Sequence, residues 1–267
     1  MDMIPILLPL LLMTLLGVPH GALDGYVIRS LSRNAIESVI LFGLYALIAL
    51  ASVGVWVLFP TVSMLSFLVI SAVHFGRSDI VDTQIKQPVL AIVARGGLWT
   101  VCLPTIHWQS TAVIFDYLRT DVKLVQIALF SALIPWAIVS MTHLIIEFRH
   151  RNRRVCIEWL LYFLLVISVP PLWALCVYFC GWHARRHMFR VFRSVQNTRH
   201  AVRDMLLFTG ATFCIAGAVY FFYARHIELT PAAIMIFFVG LFALTVPHMV
   251  LIDSYLPHQQ RHGRIDI

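Results

Sequence analysis

The sequence predicts an all-α protein: a polytopic bundle of about nine transmembrane helices, seven at the fewest, in a single integral-membrane domain over residues 1–267. Three observations predict it. Hydrophobic residues make up 60% of the chain and charged residues only 12%, against about 25% charge in a soluble domain. Mean hydropathy is +0.85. Apolar runs close to the ~20 residues that cross a bilayer as a helix recur along the whole chain, and arginines gather between them. The period-2 alternation of an outer-membrane barrel is not present.

The first run, Ile4 to Val18, closes on Val18-Pro19-His20. It lacks a basic flank and a small-residue cleavage site, so it reads as a first span rather than a signal peptide. The second run, from Ala35, is broken by Pro60, and the third ends at Phe75. Asp79, Asp82, Lys86 and Pro88 mark a polar loop. The fourth, Val89 to Ile106, carries Arg95 and a Gly96-Gly97 pair. The glycines predict close helix packing, and Arg95 is expected to snorkel to the surface. Residues 107–121 are mixed, with Trp108 and Tyr117 suited to a headgroup belt. The fifth run starts at Val122 and ends before Arg149, Arg151, Arg153 and Arg154. The sixth starts at Val155 and meets Pro170-Pro171, where a regular helix cannot continue, so a tight turn is expected. The seventh lies between Leu172 and Phe192, and two more follow, within 205–223 and 231–252.

The net charge of +7 lies in short loops between apolar runs. That placement points to orientation and contact with anionic lipid, and away from nucleic acid. Loops 149–154 and 185–203 should both be cytoplasmic, which makes the chain a multi-pass protein of the cell (inner or plasma) membrane. The N-terminus is then outside, and the tail with Arg261 and Arg264 inside. The five cysteines, Cys102, Cys156, Cys176, Cys180 and Cys214, form no C-x-x-C pair and read as buried thiols.

Of the twelve histidines, five fall at the cytoplasmic ends of spans in this topology: His20, His74, His183, His187 and His248. His183 and His187 stand at i and i+4, one turn apart on a helix. Two neutral imidazoles so placed can bind one transition metal if other spans supply further ligands. A buried ionisable residue in a membrane is costly and usually functional. Val18-Pro19-His20 through Asp24, His74 through Asp79, and Val246-Pro247-His248 through Asp253 repeat one theme: a histidine with a carboxylate four or five residues on. Asp24, Asp79 and Asp253 are therefore candidates to accept an imidazole N–H and orient the ring. The other histidines, His143 among them, read as solvated or interfacial. Four imidazoles suit Fe(II), Cu or Zn, and spacing does not choose among these.

At these residues the sequence resembles the Brp/Blh-type β-carotene 15,15′-dioxygenases, a family of membrane proteins. The matching stretches are Gly17-Val18-Pro19-His20-Gly21-Ala22-Leu23-Asp24, His74-Phe75-Gly76 with Asp79, Tyr178-Phe179 through Trp182-His183 to Arg186-His187, and Pro247-His248-Met249. Ala184 stands where family members commonly carry serine. The resemblance implies Fe(II) as cofactor, with His20, His74, His183 and His187 as its ligands and His248 nearby. It implies β-carotene and O₂ as substrates, two all-trans-retinals as products, and a functional link to a retinal-binding rhodopsin. No catalytic side chain beyond the ligands is expected. The residues alone leave other classes open: a di-iron hydroxylase or desaturase, although only one HxxxH is present, a haem-binding membrane protein, or a transporter.

Overall fold

The computed structural model describes residues 4–81, 83–195 and 197–255. Asp82, His258, Arg261, His262 and Arg264 lie outside them, as does the side chain of Asp253. The described chain is helical, with no strand among the described residues. Among the described residues, seven helices are long and apolar enough to cross a membrane, within the expected range of seven to nine. The chain divides into two compact units, residues 1–58 with 179–267, and residues 59–178.

The first unit opens with α1, Ile4–Leu31, and α2, Ala35–Leu58. α1 is not a uniform helix. A wide π-type turn covers Met13–Gly17 and leads into Val18–Ala22, with Pro19 at its start. Proline lacks an N–H and clashes with the carbonyl four residues earlier, so a widened turn just before it moves that carbonyl aside.

The second unit runs through α3, Pro60–Ile80, and α4, Pro88–Ile106. It continues with α5, Trp108–Tyr117, α6, Val122–Arg149, α7, Arg153–Ser168, and α8, Pro171–Tyr178. The mixed segment expected at the interface is thus itself partly helical. The turn at Pro170-Pro171 is present: α7 ends at Ser168, Val169 is extended, and Pro171 starts α8. α3 and α4 pack backbone against backbone. A Cβ on Gly76 would lie 2.2 Å from the Ile92 carbonyl oxygen, and one on Gly96 would lie 1.7 Å from that of Ala72. Gly97 is covered by the Trp136 indole, whose Nε1 donates to the Ala94 carbonyl at 3.2 Å. The Gly96-Gly97 pair therefore permits the close packing the sequence predicts.

Two expectations fail in this unit. Arg95 does not snorkel; it is fully buried, pairs with Glu158 at 2.9 Å and stands 3.9 Å from Asp79. Two carboxylates within reach make an inward-facing guanidinium cheaper than one drawn out through apolar neighbours. His143 is neither solvated nor interfacial but fully buried on α6, one turn before the equally buried Glu147.

The first unit resumes with α9, residues 179–194, which begins with a wide π-type turn, Phe179–Ala184. It closes with α10, Thr198–Ala224, and α11, Leu229–Ile252. Val27, Ile28 and Leu31 of α1 form a core with Leu251 of α11, and Phe42 and Tyr45 of α2 pack on it. Gly25 lets α1 approach α10 so closely that a Cβ there would meet the Phe208 ring at 2.0 Å. Arg29 and Asp204 pair at 2.8 Å across the same contact.

Candidate metal centre

Four histidines from three helices meet inside the first unit. His20 on α1 has its ring centre 5.2 Å from that of His183, 5.6 Å from His187 and 5.7 Å from His248. His187 and His248 are 5.3 Å apart. All four side chains are buried. The wide turn Phe179–Ala184 ends just after His183, so the two histidines of α9 are carried by different helical geometries rather than by one regular turn.

Neighbouring groups hold the rings. Phe179 lies parallel to His183, with 5.6 Å between centres, and meets His20 edge-on at 5.3 Å. Gly17 makes room for Phe179; a Cβ there would stand 2.2 Å from the ring. His20 turns Nδ1 to the Gly17 carbonyl. A carbonyl only accepts, so Nδ1 carries the proton and Nε2 is the nitrogen with a lone pair. His248 sets Nδ1 at 2.9 Å from both oxygens of Asp24, and Tyr45 donates its hydroxyl to the same carboxylate at 2.9 Å. Asp24 thus serves His248, not His20 four residues before it. Sequence spacing ties a carboxylate to its own segment, whereas helix packing brings it to another.

His74 is buried on α3 in the second unit, two residues from the close approach at Gly76. Asp79 of the same helix accepts from the Tyr178 hydroxyl at 3.2 Å. Tyr178 in turn stacks on Trp99, with ring centres 4.0 Å apart.

Imidazole nitrogens suit a borderline metal such as Fe(II). A ring bound at about 2.1 Å has its centre about 3.2 Å from the ion, so two rings at a tetrahedral angle stand about 5.2 Å apart. The observed ring spacings lie at or slightly above that value. As they stand, no three or more His, Cys, Asp or Glu side chains among the described residues are set to hold a metal ion. The donor type and these four ring spacings are what one ion would need.

Tyr45 and Phe179 had no assigned role in the sequence. Phe179 belongs to the family-like stretch, but its stacking on His183 depends on a widened turn that no residue pattern marks. Tyr45 lies in a uniformly apolar run, where nothing distinguishes it from an interfacial tyrosine.

Fold and site together define a polytopic helical membrane protein with a buried cluster of imidazoles. The family model described as β-carotene 15,15′-dioxygenase matches residues 11–255, and the chain belongs to that family. It is 32% identical over 260 residues, covering 94% of each chain, to a β-carotene 15,15′-dioxygenase of the uncultured marine bacterium 66A03. It is 22% identical over 284 residues to a probable β-carotene 15,15′-dioxygenase Blh of Halobacterium salinarum, covering 88% of this chain and 80% of that protein. No solved structure matches the chain significantly.

Proposed function

We propose that the chain is an Fe(II)-dependent membrane dioxygenase that splits the central double bond of β-carotene with O₂ into two all-trans-retinals. The iron is held by His20, His74, His183 and His187. The observation that carries the reading is the buried imidazole cluster in a chain that matches the family over nearly its whole length. His74 enters on the resemblance and on its burial.

The reaction balances without an external reductant: the double bond breaks, and each of its carbons takes one oxygen atom. Bound Fe(II) supplies O₂ activation, which is chemistry no side chain offers. This chain's residues bind, orient and exclude water. The Gly17 carbonyl holds the His20 Nδ1 proton, so Nε2 is left to donate. Phe179 fixes the plane of His183. Burial of the imidazoles keeps bulk water from the centre. No proton has to move to or from the polyene, so no acid or base is assigned.

Expression in a host that accumulates β-carotene tests the reading. The expected result is loss of carotenoid colour, with retinal appearing at two per carotene. One iron per purified chain and no Soret band are also expected. A stoichiometry near two irons would favour a di-iron enzyme. Intact β-carotene in cells holding folded, iron-loaded protein would exclude this substrate.

A further inference from the structure

The resemblance leaves His248 beside the site. Its ring joins the cluster at 5.7 Å from His20 and 5.3 Å from His187, and its exposure is only 4%. Asp24 accepts from Nδ1 with both oxygens at 2.9 Å. That bond fixes the tautomer with the proton on Nδ1 and the lone pair on Nε2. The carboxylate is held in turn by the Tyr45 hydroxyl at 2.9 Å. A carboxylate on one imidazole nitrogen, itself anchored, is the arrangement that orients a metal-binding histidine and raises its basicity.

We propose that His248 is itself a ligand of the iron centre, bound through Nε2, with Asp24 and Tyr45 as the residues that position it. This rests on the iron reading above. It adds His248 to the ligands His20, His74, His183 and His187 proposed above. In this assignment Asp24 and Tyr45 act through the imidazole.

Metal binding by the full-length protein in detergent, stripped of metal and titrated with Fe(II) or with Co(II) as an optical probe, tests it without any turnover. His248→Ala should weaken metal binding and change the Co(II) ligand-field spectrum, and added imidazole should restore both. Asp24→Asn keeps an acceptor but loses the charge, and should weaken affinity about 10-fold, at the low end of the 10–100-fold range for such partners. Tyr45→Phe should do less in the same direction. If His248→Ala does not fold, the Asp24 and Tyr45 variants carry the test, with wild-type melting showing that they are folded. Wild-type affinity and an unchanged Co(II) spectrum in folded His248→Ala, or in both other variants, would overturn the assignment while leaving the dioxygenase reading intact. A parent chain that takes up neither metal would overturn both.

Discussion

Arg95 is a buried charge inside the second unit. It is wholly buried, with Glu158 at 2.9 Å, Asp79 at 3.9 Å, and the Val155 carbonyl at 3.5 Å from Nη2. Removing one partner of a buried pair leaves an uncompensated charge and costs about 3–5 kcal/mol. Arg95→Met is therefore expected to lower stability by that amount in SDS unfolding of the purified protein. The double variant Arg95→Met/Glu158→Gln should lose less than Arg95→Met alone. A single variant within about 0.5 kcal/mol of the parent, the range of ordinary surface changes, would contradict the pairing. Near the imidazoles, Gly17→Ala would place its methyl 2.2 Å from the Phe179 ring. Overpacking of this kind costs about 1–3 kcal/mol, and because Phe179 stacks on His183, Fe(II) affinity should fall with it. An unchanged melting temperature together with unchanged iron affinity would rule this out. At this scale three members of the imidazole cluster were legible. His20, His183 and His187 stood out because a histidine at the end of an apolar run is expensive and therefore informative. Arg95 and His143 were misread, because a single charged or polar residue in an apolar run looks alike whether it snorkels or finds a partner inward. Only the fold brings Glu158, distant in sequence, beside Arg95.

At the scale of elements, two kinds of glycine separate cleanly. Gly96 faces the Ala72 backbone, where a Cβ would come within 1.7 Å of a carbonyl oxygen, while Gly54 has nothing within 4 Å. Gly96→Ala must push α4 from α3 and is expected to cost at least the ~1–3 kcal/mol of overpacking. Gly54→Ala should be neutral or stabilise by up to about 1 kcal/mol, the helix-propensity difference. Thermal unfolding of the two variants side by side checks this; equal effects would mean that the close approach of α3 and α4 is wrong. The glycine pair and Pro170-Pro171 could be read correctly because steric rules for these residues are local. The widened turns could not. Those at Met13–Gly17 and Leu98–Cys102 each end two residues before a proline. The proline announces a disturbance, but how the backbone redistributes its hydrogen bonds depends on packing. The turn at Phe179–Ala184 contains no proline, and an i, i+4 histidine pair there reads as a regular α-helical turn.

At the scale of the molecule, α2 and α10 bury almost none of their apolar residues inside the protein. Leu47, Leu50 and Val57 on α2, and Leu206, Leu207 and Ile215 on α10, are exposed. Apolar faces of this extent require an apolar solvent, which is the bilayer. An orientation in it is expected from charge and from one ion pair. Arg29, near the end of α1, meets Asp204, near the start of α10. The turn at residues 32–34 and the segment before α10 therefore lie at the same end of the first unit. α10 then runs the length of a span to Tyr220–Ala224, which puts His226 at the opposite end. Arg29, Arg33, Arg190, Arg193 and Arg199 all belong to the first end, and the retention of short basic segments makes that end the expected cytoplasmic one. Single cysteines placed at the exposed positions 33, 199 and 226, in a background with the five native cysteines replaced, test this with a membrane-impermeant thiol reagent on intact cells. Position 226 should label in intact cells, and positions 33 and 199 only after the membrane is opened. Labelling of 33 and 199 from opposite sides would break the Arg29–Asp204 pairing. Labelling of both from outside would keep the fold and reverse its orientation, moving the imidazole cluster to the outer half of the bilayer.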